Sequence, residues 1–524
     1  MTQKRVARAM ILCLLILTLS LCPQPQGLAQ TGKGSEALRQ RLQEKLREFH
    51  AGGKFPGANV GVALADGTTM GLAVGLSNLE TKTPMTPRDL MLQGSVGKTY
   101  VSAVALQLVA EKKLGLDDPI EKYLGNEKWF RRLPNARDIT VRMLMNHTSG
   151  LVRYEFKEQF TKDLTASPEK VWKPEELVSY ILDTAAPFAA GKGWDYSDTN
   201  YIVLGMIIER ITGSTYYREL ARRILVPLGL RETVPSDRRD VPRLIQGYAG
   251  KDNPFGGSDA MISSGRMIIN PQFEWTGGGI ASTAEDLARW AKLLYEGKAF
   301  APSLLPTMLE GVPARLGPEA KYGLGVIIRP TPLGIAYGHS GFFPGYITEM
   351  MYFPDAGIAI AVQVNTSVPR STGKPLSRFI TELAEVIIGE QKTTGEAAVM
   401  KTVNQLFASM EARQTDVLRG LFIPEGRLIS TMTRQGQATV RLLSLDDFIK
   451  MVADTKEPYR ERMFDSEVRV DGDVAAVWGR YDFHVGERLT NCGHNSLQLV
   501  RVQGEWKIAS IASTIITQGC QQAN

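Results

Sequence analysis

The chain has 524 residues, too many for one ordinary domain, so two or three are expected. Hydrophobic residues make up 43% and charged residues 22%, the balance of a globular protein with a sizeable core. A net charge of +6 is small for this length, and with no Lys/Arg tract it gives nucleic-acid binding no support.

The first element, residues 1–29, reads as a signal peptide. Lys4, Arg5 and Arg8 precede an apolar run from Ala9 to Leu21, and the small residues Gly27 and Ala29 flank a cleavage point after Ala29. The run falls short of the roughly 20 residues a spanning helix needs, so no stable membrane span is expected after cleavage. Cys22 invites a lipid anchor, but the bulky Leu21 before it disfavours one. A periplasmic or secreted protein is the expectation. Cys492 and Cys520 remain after cleavage, and in an oxidising compartment they are expected to pair.

Glu36 to Phe49 has helical periodicity. Strand-like runs at Ala58–Leu64 and Met70–Gly75, joined at Ala65-Asp66-Gly67, predict a hairpin. Ser95-Val96-Gly97-Lys98 then opens a largely buried helix reaching Val109. Residues three apart share a helix face, so Ser95 Oγ and Lys98 Nζ can exchange a proton. A helix N-terminus also favours developing negative charge at Ser95. The spacing alone is not specific. Ser167-Pro168-Glu169-Lys170 repeats it in polar surroundings that read as a capped surface helix start.

From Asp117 to Leu309 the pattern is mainly helical with irregular loops. Within it, Tyr196-Ser197-Asp198 precedes a helix from Val203 to Ile211, where a tyrosine can point its phenol into a cleft. Ser282-Thr283-Ala284-Glu285 reads as a capping box for a helix from Asp286 to Tyr295. Strand patterns return at Tyr322–Ile328, Ile335–His339, Tyr346–Tyr352 and Ile358–Val364. His339-Ser340-Gly341 closes the second of these, and its glycine would let a substrate approach the backbone. Strands at both ends of a helical middle predict an α/β protein of the α+β type. One antiparallel sheet flanked by helices would pack against a helical lobe.

An amphipathic helix, Leu376–Ile388, is expected to stop at Gly389, with 389–397 a polar linker. Residues 398–524 read as a separate α+β domain. Its helices are Val399–Ala412, one near Leu418, and Asp446–Ala453, followed by strand pairs turning at Asp471-Gly472 and Gln503-Gly504. No metal-ligand spacing occurs, and Gly277-Gly278-Gly279 has no following Lys, so no metal and no cofactor are expected.

The ordered set Ser-x-x-Lys, Tyr-Ser-Asp and His-Ser-Gly resembles the class C β-lactamase-like serine hydrolases. These include penicillin-binding D-alanyl-D-alanine carboxypeptidases, D-aminopeptidases and esterases. Met145-Asn146-His147-Thr148-Ser149-Gly150-Leu151, Val226-Pro227-Leu228-Gly229-Leu230 and Tyr322-Gly323-Leu324-Gly325 match the family in form. The resemblance covers 36–388. It implies Ser95 as nucleophile, Lys98 and Tyr196 as a proton-handling pair, and an acyl-enzyme on a small-molecule or peptide ester or amide. It also implies a cleft lined by Asp198, His339, Ser340, Gly341 and Phe342, with the N–H groups of Ser95 and Phe342 as oxyanion hole. Free Lys and Tyr titrate near 10, so a proton shared between Lys98 and Tyr196 is expected.

Two departures narrow this. Asp198 stands where the family carries Asn, and a carboxylate cannot donate as an amide does. His339 stands where β-lactamases proper carry Lys, and a neutral His is a poorer partner for a substrate carboxylate. Both point away from efficient β-lactamase activity. His147 matches a family turn and no catalytic position. The alternative from another class is a non-catalytic binding or sensor protein on the same fold.

Residues 399–520 resemble the cone-shaped domain shared by ketosteroid isomerase, nuclear transport factor 2 and SnoaL-like proteins. That implies a curved sheet around a pocket, lined in turn by some of Tyr481, Asp482 and His484. An accessory, ligand-sensing or homodimerising role follows from the resemblance.

Overall fold

The computed structural model describes residues 28–251, 253–256, 258–434 and 437–520. The segment expected to be a signal peptide, as far as Gly27 and with Cys13 and Cys22, lies outside the described residues. Leu28 and Ala29 open the first helix, Leu28–Ala51. Among the described residues no helix is long and apolar enough to cross a membrane.

The hairpin expected at the N-terminus forms from Gly57–Ala63 and Thr69–Asn78. Its first strand pairs antiparallel with Ile358–Val364, 300 residues away in register at Ala58↔Val364 and Ala63↔Ala359. The sheet continues through Tyr346–Phe353, Gly334–Phe343 and Ile327–Thr331 to short strands at Lys321–Tyr322 and Val312–Pro313. The expected Tyr322–Ile328 strand is therefore two pieces. Gly323-Leu324-Gly325 interrupts it, and Gly325 has φ +78°. The central strands are buried on both faces, so they lack the polar alternation of a half-exposed sheet.

One face is covered by the first helix and by the N-terminal half of a long helix, where Phe49 stacks on Phe379 at 4.0 Å. The other face carries the helix Ala284–Tyr295 and the helical lobe. A Cβ on Gly61 would come within 1.9 Å of the Ala284 carbonyl, so only glycine admits this close approach. The helix is capped by Thr283, whose side chain accepts from the Asp286 N–H; it starts two residues before the expected Asp286. Ser167 does not start a helix. It ends Glu158–Ala166, and the next helix opens at Pro174.

The main difference lies at 389–397. These residues are helical, inside one continuous helix from Leu376 to Glu411. The helix leaves the first core with Ile387 buried and enters a second with Val399, Val403 and Leu406 buried. Packing at both ends outweighs the low helix propensity of Gly389 and Gly395. The C-terminal sheet runs Gln437–Ser444, Phe422–Arg434, Glu505–Ile515, Arg488–Val502, Val474–Val485 and Tyr459–Asp471. Helices Thr415–Gly420 and Leu445–Asp454 complete its core. Cys492 and Cys520 form a disulfide, as expected.

Candidate active site

Ser95 lies in a tight turn, Gly94–Gly97, that runs directly into the helix Lys98–Ala110. Gly94 has φ +53°, and a Cβ there would meet Phe342 backbone atoms at 2.4–2.7 Å. The Ser95 turn is thus pressed against the strand Gly334–Phe343. This is possible because Ile327–Thr331 pairs with that strand only as far as Gly338. From His339 onward, ladder pairing is to Tyr346–Phe353 alone, and the other edge is left to the Ser95 turn.

Lys98 is fully buried, and its ammonium meets three acceptors: Ser95 Oγ at 3.1 Å, Asp198 Oδ1 and the Gly277 carbonyl. These satisfy all three ammonium donors. Asp198 opens the helix Asp198–Thr212, and its second oxygen pairs with Arg153 Nη2 at 2.5 Å. Burial alone would lower the Lys98 pKa, but the Asp198 carboxylate outweighs it and holds the group above its ordinary range. Burial would likewise raise Asp198, and Lys98 and Arg153 keep it well below the usual carboxylate range. Asp198 faces the cleft, as expected, but its charge is spent on Lys98 and Arg153. This revises the idea of a proton shared between Lys98 and Tyr196, because Asp198 fixes the proton on Lys98.

Tyr196 packs beside that ammonium, with Lys98 Nζ 5.1 Å from its ring centroid. Its hydroxyl is buried and has no hydrogen-bond partner among the described residues. Burial raises its pKa and the Lys98 charge pulls it back. His147, held at φ +63°, sits behind it with ring centroids 4.2 Å apart. His147 Nδ1 accepts from the Ser197 N–H at 3.3 Å and lies 3.0 Å from Asn200 Nδ2. Burial, then the Lys98 charge, keep this imidazole neutral. His147 therefore supports the Tyr196 loop.

His339 lines the same cavity but has no free nitrogen. Nδ1 lies 2.6 Å from the Ser340 carbonyl and so carries the proton, while Nε2 accepts from Tyr322 Oη at 2.8 Å. Burial, then Lys98, lower its pKa to about 3. It is a neutral wall of the site.

Ser95, Tyr196, Asp198, His339, Ser340, Gly341 and Phe342 all line one cavity of about 660 Å³. Lys98 lies just beneath it. The far wall is apolar, built from Phe156, Phe160, Leu164, Phe255, Phe273 and Ile347. Three further lining residues escaped the sequence reading: Arg153, Glu155 and Glu274. They come from two single-turn 3-10 helices, Tyr154–Phe156 with Arg153 before it and Pro271–Glu274, that carry no recognisable motif, and only the fold brings them to Asp198. Burial, then the Asp198 charge, push Glu155 well above the usual carboxylate range. The same two causes raise Glu274 to about 8, against the pull of Lys98 and Arg153.

In the C-terminal sheet Tyr481 and Asp482 face opposite ways. Tyr481 Oη donates to the Thr514 carbonyl at 3.0 Å, and Asp482 accepts two bonds from Arg462. His484 Nε2 lies 3.6 Å from Asp482 Oδ1.

Comparison with known proteins agrees with this architecture. A family model described as "Putative lumazine-binding" matches residues 394–512, the unit with the SnoaL-like, nuclear transport factor 2-like fold. Penicillin-binding protein 4* of Bacillus subtilis is 26% identical over 296 residues, 54% of this chain and 62% of that protein. A D-aminopeptidase of Brucella anthropi is 28% identical over 316 residues, 60% of this chain and 56% of that one. The chain thus spans about six-tenths of the length of these relatives. A D-stereospecific amidohydrolase from Streptomyces sp. superposes with a TM-score of 0.55 at 28% identity, covering 62% of this chain and 93% of that one. With the Beta-lactamase family model matching residues 42–385, around the cavity just described, the chain belongs to the Beta-lactamase family.

Proposed function

We propose that the protein is a serine hydrolase that forms an acyl-enzyme on Ser95 and cleaves a small ester or amide. The observation that carries this is the Ser95 hydroxyl, 3.1 Å from the Lys98 ammonium and open to a cavity bounded by an unpaired strand edge. Ser95 Oγ attacks the substrate carbonyl carbon as its proton passes to Tyr196, which acts from the phenolate form that the adjacent Lys98 ammonium favours. Lys98 acts as a fixed cation that steadies the charge on Oγ and on the phenolate. The N–H groups of Ser95 and Phe342 take the oxyanion, an arrangement in which one donor is worth about 3–4 kcal/mol. Tyr196 then returns the proton to the departing alcohol or amine.

The apolar wall favours a bulky, uncharged acyl or leaving group. Names among the relatives, a D-aminopeptidase and a D-stereospecific amidohydrolase, place D-amino amides among the first substrates to try. With His339 neutral and both its nitrogens engaged, the site has little to offer a β-lactam carboxylate. Export to the cell envelope and pairing of two copies through the C-terminal sheet complete the reading. The latter is supported by Trp478, Val440 and Leu442 standing exposed on that sheet.

The test is labelling with a fluorophosphonate probe, followed by hydrolysis of nitrophenyl esters, D-amino amides and a chromogenic cephalosporin. Labelling of wild type and none of Ser95→Ala supports the proposal. Equal labelling of both, or none of either, contradicts it.

A further inference from the structure

Asp198 presents the Tyr196 phenolate with the wrong charge. The Lys98 ammonium favours that phenolate and the Asp198 carboxylate opposes it. Lys98 and Asp198 are a buried ion pair, so on their own they offer the phenol almost no net charge. An amide at position 198 would leave Lys98 uncancelled; a carboxylate does not.

A second cation is built into the site. The Asp198 oxygen that Lys98 does not use lies 2.5 Å from Arg153 Nη2. The guanidinium carbon is 5.6 Å from the centre of the Tyr196 ring, close to the 5.1 Å of Lys98 Nζ. It also lies over the Phe156 ring, 4.2 Å from its centre. The backbone fixes Arg153 in this position. Thr199, the residue after Asp198, accepts from the Tyr154 N–H at 3.2 Å and donates to the Val152 carbonyl at 2.8 Å. One buried hydroxyl thus fastens both neighbours of Arg153 to the first turn of the Asp198 helix. Tyr154 Oη ties the same segment to the Phe273 carbonyl at 2.9 Å.

The other groups around Tyr196 leave this balance unchanged. His147 and His339 face its ring and stay neutral. Tyr322 and Tyr201 stay protonated, because burial raises both. Glu155 lies 3.9 Å from Arg153 Nε, and burial, then Asp198, push it well above the carboxylate range. The same causes raise Glu274 to about 8. Lys98 and Arg153 against Asp198 leave a single positive charge facing the phenol.

We infer that Arg153 is a positioning residue for acylation: it offsets the Asp198 charge, so that Lys98 acts on the Tyr196 phenolate as a net cation. The inference rests on the acyl-enzyme reading above. Arg153 takes and gives no proton; it works through Asp198 and through the field at Tyr196. Charge arithmetic separates this role from that of a structural ion pair. Neutralising Arg153 leaves no net charge at the phenol, neutralising Asp198 leaves two positive charges, and neutralising both restores one.

The experiment measures nitrophenyl ester burst rates across a pH series, with intact-mass detection of the Ser95 adduct and thermal midpoints alongside. It compares full-length wild type with Arg153→Gln, Arg153→Lys, Asp198→Asn and the double variant Arg153→Gln/Asp198→Asn. The rising limb of acylation reports the Tyr196 phenolate. In Arg153→Gln it should move up by about one pH unit, with a burst about 10-fold slower at neutral pH, as expected when a cation within about 4–6 Å is lost. Arg153→Lys should fall between wild type and Arg153→Gln. The double variant should bring the limb back toward its wild-type position, although both partners of the ion pair are gone. An unmoved limb in Arg153→Gln would overturn the proposal. So would a double variant whose limb stays with that of Arg153→Gln, because the loss would then follow from structure and not from charge. If wild type itself shows no Ser95 adduct, the acyl-enzyme reading fails, and this proposal with it. A wild-type adduct with an unmoved limb in Arg153→Gln defeats this proposal alone.

Discussion

At the level of single residues, the reach of the sequence and its limit meet at Asp198. Ser95, Lys98, Tyr196 and His339 are recognisable because each sits in a short ordered motif, and the fold collects them around one cavity. What they carry as charge is not legible. It depends on Arg153, Glu155 and Glu274, which no spacing rule singles out. Breaking a buried ion pair on one side leaves the other charge stranded, so Asp198→Ala should cost about 3–5 kcal/mol in denaturant unfolding. Asp198→Asn removes a charge that raises the Tyr196 pKa, so it should move the rising limb of acylation to lower pH, read from burst rates across a pH series. Asp198 also links stability to acidity. Its folded pKa lies below the unfolded value of about 3.9, so its contribution is intact above pH 4 and lost as pH falls below it. Glu274 has the opposite sign. Its folded pKa of about 8 exceeds its unfolded value, so it costs stability increasingly from about pH 4.3 up to 8. Glu274→Gln should melt higher than wild type at pH 8 and level with it at pH 4. Equal midpoints at both pH values would show that the carboxyl is not held in the neutral form.

Among the elements, strands and helices with strong local patterns lie where the sequence places them, within a residue or two. Ile358–Val364 and Leu445–Asp454 are examples, the first apolar except for Gln363 and the second capped by Ser444. Misreadings cluster where tertiary packing decides. Gly389 looks like a helix stop, yet the helix Leu376–Glu411 runs through it because each end is anchored in a separate core. Gly389 is exposed, and a Cβ there would meet nothing within 4 Å. Gly389→Ala should therefore stabilise the protein by about 0.5–1 kcal/mol, visible as a higher thermal midpoint. A lower midpoint would mean that glycine is required there. Ser167-Pro168-Glu169-Lys170 shows the converse. It shares the spacing of Ser95 and Lys98, but it follows a helix end and meets no buried carboxylate, so nothing converts the pattern into a site.

For the molecule as a whole, the sheet is assembled from strands some 300 residues apart, which local patterns suggest only through the recurrence of strands at both ends of the family region. The cavity lies where its unpaired strand edge meets the turn before a buried helix. A second α+β unit follows on the same long helix and is closed by Cys492–Cys520. On the chain-entropy model, closing a loop of 28 residues contributes up to about 3–4 kcal/mol, so reduction should lower the unfolding midpoint of the C-terminal unit. The central claim is covalent chemistry at Ser95, and mass spectrometry of the acid-quenched reaction with an activated ester tests it most directly. The account predicts an acyl adduct on the peptide containing Ser95, absent in Ser95→Ala. Hydrolysis that proceeds with no adduct on Ser95, or unchanged in Ser95→Ala, would contradict it.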